Sequence, residues 1–98
     1  MGLAELELHP EAVAEAKATR EWYAERSPRA AARFVIELDG ALGRIREFPD
    51  LWPSYLHGTR RCLLHHFPYQ IVYRQLDDVI QVVAVAHCRR RPGYWRHR

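Results

Sequence analysis

The sequence lacks several features that would assign it to whole classes of protein. No stretch of its 98 residues approaches the roughly 20 consecutive apolar residues of a membrane-spanning helix, so no membrane role is predicted. No basic flank leads into an apolar stretch near the N-terminus, so no secretory signal is predicted either. These absences predict a soluble, cytoplasmic protein.

Residues that bind metals or form disulfides are also scarce or poorly spaced. Cys62 and Cys88 are the two cysteines, and they lack the C-x-x-C spacing of a redox or metal site. Each lies at the margin of a strand-like run, so both are predicted to be buried thiols; a disulfide would require adjacent strand positions. The neighbouring His65 and His66 would point to opposite faces of a strand, with no other ligand at suitable spacing. We therefore predict no metal site and no cofactor.

Common catalytic signatures are missing as well. No Ser-His-Asp or Cys-His arrangement stands out, and there is no glycine-rich loop of the kind that binds phosphate. The acidic residues fall mainly on the predicted helices, where a charged outer face explains them. Because repeats, linkers and low-complexity segments are absent too, residues 1–98 are expected to form one domain.

Charge is distributed unevenly along the chain. Residues 1–50 carry ten acidic and seven basic residues, a net charge of −3, whereas residues 51–98 carry two acidic and eight basic ones, a net charge of +6. Lys17 is the only lysine, so almost all the positive charge is arginine, whose planar guanidinium suits carboxylate or phosphate. A positive surface near the C-terminus is predicted, which favours a phosphate backbone or an acidic protein segment as partner.

The N-terminal half has the pattern of one strand followed by two helices. Leu3–Leu8 alternates apolar and acidic residues, which predicts a strand at or near the edge of a sheet. Pro10 suits the first position of a helix, and Ser27 caps a second helix that begins at Pro28. The short break between the two predicts an antiparallel helical hairpin.

Each predicted helix has an apolar stripe that should pack inwards. The stripes consist of Ala12, Val13, Ala16, Thr19 and Tyr23 in the first helix, and of Ala31, Phe34, Val35, Leu38, Ala41, Leu42, Ile45 and Phe48 in the second. Gly40 and Gly43 lie inside the second helix, where each costs about 1 kcal/mol relative to alanine. Close packing against the first helix or the sheet would explain them.

The C-terminal half has the pattern of three further strands. They are Arg60–Phe67, Tyr69–Leu76 and Val79–Ala86. Pro68 must lie at a connection because it cannot donate to a strand ladder, and Asp77-Asp78 forms a tight break. The last strand is apolar on both faces apart from Gln81, so it should be the most buried. The predicted fold is therefore α+β, in the order β-α-α-β-β-β, with a mostly antiparallel four-stranded sheet and the helical hairpin on one face.

The basic tail at about residues 87–98 gives the clearest functional signal. Five arginines within residues 89–98 are interleaved with Tyr94 and Trp95, a composition that could contact phosphates and stack bases. The simpler alternative is a solvated tail in which Trp95 folds back onto the sheet. We predict that Trp95 is such an anchor, because an aromatic ring in a polar tail needs somewhere to pack.

His87 lies where the last predicted strand opens into the arginines. A histidine placed there could act as a general acid or base near pH 7. The alternative is a histidine that simply ends the strand with its hydrogen bonds satisfied. The residues alone leave both interpretations open.

Several short motifs follow one another along nearly the whole chain. They are Pro10-Glu11-Ala12, Trp22-Tyr23, Arg33-Phe34, Phe48-Pro49, Arg60-Arg61, Phe67–Tyr73, Val85-Ala86-His87 and Arg90–Arg98. Together they resemble the RelE/ParE superfamily of toxins from bacterial type II toxin–antitoxin systems. The H-x-x-R-x-P-x-Y-W pattern from His87 to Trp95 is similar to the ParE-like, plasmid-stabilisation branch.

This resemblance implies a small α+β toxin that is neutralised by a cognate antitoxin and meets DNA only indirectly, through that antitoxin. ParE-like members are associated with inhibition of DNA gyrase, whereas RelE-like members cut messenger RNA on the ribosome. The leading expectation is a non-enzymatic, growth-inhibiting toxin that acts on gyrase. Its target-facing surface would comprise Arg89, Arg90, Arg91, Tyr94, Trp95 and Arg98.

The competing expectation is a ribosome-dependent messenger-RNA endonuclease. Its working residues would be Arg61, His87, Arg90 and Tyr94. Against it, Leu63, Gln70 and Cys88 stand where the RelE pattern has basic residues, and such losses remove charge stabilisation worth several kcal/mol. A third expectation is a family member that has lost toxicity and persists as a module that binds the antitoxin.

Overall fold

Residues 4–98 are described by a computed structural model of the chain. The helices and strands are β1 (Glu5–Leu8), α1 (Pro10–Arg26), α2 (Pro28–Glu47), β2 (Arg60–Leu63), β3 (Tyr69–Leu76) and β4 (Val79–His87), with a short 3₁₀ turn at Leu56–Gly58. This order confirms the predicted α+β fold. Leu3, where β1 was predicted to begin, lies outside the described residues.

The four strands form one sheet in the order β1-β4-β3-β2. Strand β1 lies at an edge, as predicted, and runs parallel to β4, whereas the β4–β3 and β3–β2 pairs are antiparallel. The β3–β4 hairpin turns at Asp77-Asp78, where Asp77 has a φ of 55°. The sheet is therefore mostly antiparallel, and β4 is one of its two central strands.

The helical hairpin is set by two side-chain caps. The Nδ1 atom of His9 accepts a hydrogen bond from the Glu11 N–H, next to Pro10 at the first position of α1. The Ser27 hydroxyl accepts from the Ala30 N–H, while the N–H of Ser27 donates to the Tyr23 carbonyl. Ser27 thus ends α1 and begins α2, so the chain reverses at a single residue between the helices.

Two apolar clusters cover the two faces of the sheet. The larger one packs α1 and α2 against the strands around Phe34, Ile45 and Tyr73, all fully buried. The smaller one lies on the opposite face, around Val72 and Trp95. Strand β4 contributes to both clusters, which confirms that it is the most buried strand and explains its nearly continuous apolar sequence.

Parts of the predicted helical stripes were wrong. Val13 and Phe48 are 49% and 53% exposed, so neither belongs to the core. A Cβ on Gly43 would meet nothing within 4 Å, and one on Gly40 would meet only the end of the Arg44 side chain, at 3.4 Å. Close packing is therefore not the reason for these glycines.

Strand β2 is shorter than predicted, ending at Leu63 instead of Phe67. The backbone N–H groups of His65 and His66 donate to the Glu37 carboxylate of α2, at 2.5 and 3.2 Å, and no longer point along a strand ladder. The prediction that these two histidines lie on opposite faces of a strand was therefore wrong. Glu37 also contacts Nδ1 of His66 at 2.7 Å.

The two thiols are free, and their surroundings differ. Cys62 is buried, as predicted, and burial raises the pKa of its thiol. Cys88 is exposed because it follows β4 and lies outside both clusters, so the prediction that it is buried was wrong. Among residues 4–98, no helix combines the length and apolarity that crossing a bilayer requires.

Candidate functional site

Residues 88–98, here called the C-terminal segment, fold back in successive turns. The backbone N–H of Arg90 donates to the His87 carbonyl at 2.9 Å, and the N–H groups of Arg96 and Arg98 donate to the carbonyls three residues earlier, at 3.0 Å each. The N–H of Cys88 donates to the Pro68 carbonyl at 2.8 Å, which ties the start of the segment to the β2–β3 connection. The predicted basic tail is therefore an ordered part of the fold.

A glycine allows the segment to reverse direction. Gly93 has a φ of 80°, in the left-handed region that side chains with a Cβ disfavour. A Cβ on Gly93 would also lie 3.3 Å from Nε2 of His57, a residue of the 3₁₀ turn at Leu56–Gly58. Gly93 therefore permits both the turn and the close approach of His57.

Trp95 is the apolar anchor of the C-terminal segment. It is 3% exposed and packs with Val72, Val83, Ala84 and Ala86 on the sheet face opposite the helices. This confirms the prediction that its ring folds back onto the sheet. Within the predicted target-facing set, Trp95 thus lies beneath the surface instead of on it.

Glu15 of α1 is the polar anchor of the same segment. Its Oε1 atom accepts hydrogen bonds from the Val85 N–H at 3.0 Å and from Nη1 of Arg98 at 2.8 Å. Its Oε2 atom accepts from the Tyr94 hydroxyl at 2.5 Å, from Nη2 of Arg98 at 3.1 Å and from Nη1 of Arg90 at 3.2 Å. One carboxylate therefore joins helix α1, strand β4 and three side chains of the C-terminal segment.

Tyr94 is held as a neutral hydrogen-bond donor. Burial, together with the hydrogen bond to the Glu15 carboxylate, raises the pKa of the Tyr94 hydroxyl far above its ordinary value. The guanidinium carbon of Arg90 lies 3.8 Å from the centre of the Tyr94 ring, and that of Arg98 lies 5.1 Å away. The ring is thus flanked by two cations, an arrangement that favours both of them.

The remaining arginines form the outer surface of the segment. Arg89 and Arg91 are exposed, and neither has an acidic partner among residues 4–98. Arg96 is exposed as well, with its Nε atom 3.2 Å from Nε2 of His97. Together with Arg90, which is 54% exposed, they form a positive surface on an ordered backbone. This surface can bind an anionic or acidic partner.

The four residues of the nuclease hypothesis are not all brought together. Arg90 and Tyr94 stack, but Arg61 lies over the ring of Tyr55, within the cluster around Trp95. His87 instead contacts Tyr69 on the helical side of the sheet, with ring centres 5.0 Å apart. Arg61 and His87 therefore lie on opposite faces of the sheet.

His87 has two structural roles in this arrangement. Its Nδ1 atom accepts a hydrogen bond from the Arg89 N–H at 3.0 Å. Its ring also lines a cleft of about 470 Å³ together with Thr19, Trp22, Tyr23 and Tyr69. Nδ1 of His87 therefore already has a hydrogen-bond partner, and one side of the His87 ring faces the cleft.

The sequence did not identify Glu15, which was grouped with the acids of the outer helical faces. Helical spacing held a signal, because Glu15 lies three residues after Ala12 and four before Thr19, both of which are buried. An acid at the edge of a buried stripe requires partners. A local sequence pattern could not identify those partners, because they lie about 70 or more residues away in the chain.

The helical hairpin, the four-stranded sheet and the arginine-bearing C-terminal segment together define a small α+β protein. Over residues 6–92 the chain matches the ParE toxin of type II toxin–antitoxin systems, parDE. That match spans most of the sequence, and the chain belongs to the ParE toxin family.

Comparison with solved structures supports the fold. The chain is similar to one from the chromosomal ParDE toxin–antitoxin system of P. aeruginosa, with a TM-score of 0.77 and 19% sequence identity. The superposition covers 87% of this chain and 96% of that one. No curated protein matches the chain by sequence.

Proposed function

We propose that this ParE-family protein arrests growth by binding DNA gyrase and that a cognate antitoxin neutralises it. Membership of a toxin family from type II toxin–antitoxin systems supports a toxin with an antitoxin partner. Gyrase is the target that the resemblance to the ParE-like branch implies. The observation that carries it is the C-terminal segment, which displays Arg89, Arg90 and Arg91 on a backbone fixed by Trp95 and Glu15. Binding through a pre-ordered surface avoids the entropic cost of ordering it.

The arrangement of the arginines favours binding over catalysis as the mode of action. Arg61 and His87 lie on opposite faces of the sheet, and the Tyr94 hydroxyl is already bonded to a carboxylate. A hydroxyl with so high a pKa is a poor proton donor near pH 7. The exposed guanidiniums of Arg89 and Arg91, in contrast, have no acidic partner among residues 4–98 and can pair with carboxylates of a protein partner.

The antitoxin is expected to present an acidic segment. Only two acidic residues occur in the second half of the chain, against eight basic ones. A positive field of this kind steers an acidic partner towards it and discriminates against basic ones. Neutralisation would then follow if the bound antitoxin keeps the C-terminal segment from its target.

Replacing Arg90 and Arg91 with alanine tests the surface. The double variant Arg90→Ala/Arg91→Ala should lose about tenfold or more in potency as an inhibitor of gyrase supercoiling, because two charged contacts are removed. Arg20→Ala/Arg29→Ala is the matched control, since it removes the same charge from exposed positions on the helices. Unchanged growth arrest by the folded Arg90/Arg91 variant would refute the assignment of the surface.

A further inference from the structure

Glu15 connects the buried and the exposed parts of the C-terminal segment. The side chains of Glu15 and Arg98 are 12% and 14% exposed, whereas Arg90, bound to the same carboxylate, is 54% exposed. Arg90 also stacks on Tyr94, whose hydroxyl is held by Glu15. Both contacts that orient Arg90 therefore depend on one carboxylate.

A purely structural ion pair would need only Arg98. Arg98 alone engages both oxygens of Glu15 and offsets its charge. The further contacts to Arg90, Tyr94 and the Val85 N–H bring the total to five hydrogen bonds, more than the roughly four acceptor sites of a carboxylate. Arg98 also lies 3.9 Å from the Glu11 carboxylate, so its charge is offset without Arg90. The Glu15 contact to the exposed Arg90 therefore holds a charged side chain in place at the surface.

The backbone extends this control to the neighbouring arginines. The N–H of Arg90 closes a turn on the His87 carbonyl, and the N–H of Arg89 is held by Nδ1 of His87. Arg91 follows Arg90 directly, and its carbonyl accepts from the Tyr94 N–H at 3.3 Å. Holding Arg90 and Tyr94 therefore restrains the stretch from Arg89 to Arg91.

We propose that Glu15 is a positioning residue for the surface through which the toxin meets its target. Its carboxylate holds Arg90, and through the adjoining turn Arg89 and Arg91, in the orientation that binds. Glu15 itself does not touch the target. The inference rests on the proposed function to the extent that this surface contacts a target, but it does not require the target to be gyrase.

A double-mutant cycle between Glu15→Gln and Arg90→Ala tests the inference. The readout is the intracellular toxin concentration that gives half-maximal growth arrest without antitoxin. Each single variant should require about tenfold more protein than the wild type for the same arrest. The double variant should require no more than about twofold more than the less potent single variant, because both substitutions remove the same oriented guanidinium. Glu21→Gln, an equal charge change at an exposed site of α1, should leave potency unchanged.

Two results would overturn the inference. Losses that multiply to about a hundredfold in the double variant would show that Glu15 and Arg90 act independently. Full potency of Glu15→Gln would show that the carboxylate is dispensable. If Glu15→Gln does not fold, Tyr94→Phe removes a single hydrogen bond to the same carboxylate, and the same cycle with Arg90→Ala is then decisive.

Amide hydrogen exchange separates positioning from general stability. In Glu15→Gln, exchange should accelerate in residues 88–98 and at the Val85 N–H, which donates to Glu15, and remain unchanged in β3 and the rest of β4. Faster exchange throughout the chain would instead show a merely structural role and contradict the inference.

The proposed action on gyrase can be refuted separately from the role of Glu15. Wild-type protein that arrests growth but leaves gyrase supercoiling intact would refute the target, while the double-mutant cycle would still report on Glu15. Wild-type protein that arrests neither growth nor supercoiling would refute both.

Discussion

Trp95 and Glu15 hold the C-terminal segment from two directions and by different physics. Trp95 removes a large apolar surface from water against the sheet, whereas the Glu15 carboxylate accepts hydrogen bonds from Tyr94, Arg98 and the Val85 N–H. The contact of Trp95 was predictable from composition, since a tryptophan among arginines has to pack somewhere. The contacts of Glu15 were not, because Tyr94 lies 79 residues further along the chain.

Removing the Trp95 ring should destabilise the protein. Trp95→Ala leaves a cavity at a site that is 3% exposed, so the free energy of unfolding should fall by about 3–5 kcal/mol. Trp22→Ala is the control, because that ring is 50% exposed and should cost much less. Chemical denaturation of both variants measures the difference, and an unaltered midpoint for Trp95→Ala would show that the ring is not packed.

Tyr73 should make stability depend on alkaline pH. Burial raises its pKa to about 12, and its hydroxyl donates to the Pro49 carbonyl at 2.6 Å. Because the pKa in the folded state lies above the unfolded value near 10, the contribution is complete below pH 10 and falls as pH rises towards 12. The loss should be about 2 kcal/mol.

Denaturation at pH 9 and at pH 11.5 measures this dependence for Tyr73. The Tyr73→Phe variant should show a flatter decline than the wild type, because it has no proton to lose at that site. An equally steep decline in the variant would assign the alkaline instability to other groups, among them Tyr94, whose pKa is also raised.

At the scale of whole elements, capping residues predict the helix boundaries better than apolar spacing predicts which residues are buried. Pro10 and Ser27-Pro28 located the helix starts correctly, because their effect acts within one turn. Strand β2 was overextended, because its end is set by Glu37, which lies 28 residues before His65 in the chain. Local patterns therefore located the boundaries set by neighbouring residues and missed the one set by a distant side chain.

Gly43 of α2 and Gly93 of the C-terminal segment offer a test at the same scale. Gly43→Ala should raise the free energy of unfolding by about 1 kcal/mol, because alanine favours the helix and the added Cβ meets nothing within 4 Å. Gly93→Ala should have the opposite effect, since its φ of 80° disfavours any Cβ and His57 stands 3.3 Å away. Thermal unfolding of the pair tests both; destabilisation by Gly43→Ala would show that this face of α2 is packed.

At the scale of the molecule, one end of the sheet carries the positive surface. Net charge predicted that surface, and the order of strands explains its position, since central strand β4 delivers the chain directly into the arginines. The fold was predictable because the apolar periods extend over many residues and the helix caps lie next to the helices they begin. Which arginines are exposed was not predictable, because Arg98 is largely shielded from solvent by contacts with Glu15 and with the Val83 carbonyl, residues far from it in the chain.

The most direct test of the proposed function is a gyrase supercoiling assay with purified protein, run beside a ribosome-programmed RNA cleavage assay. Inhibited supercoiling with intact RNA is the predicted result, and it would make the arginine surface a protein-binding one. Cut RNA with normal supercoiling would contradict the account and return His87 and Tyr94 to consideration as catalytic residues.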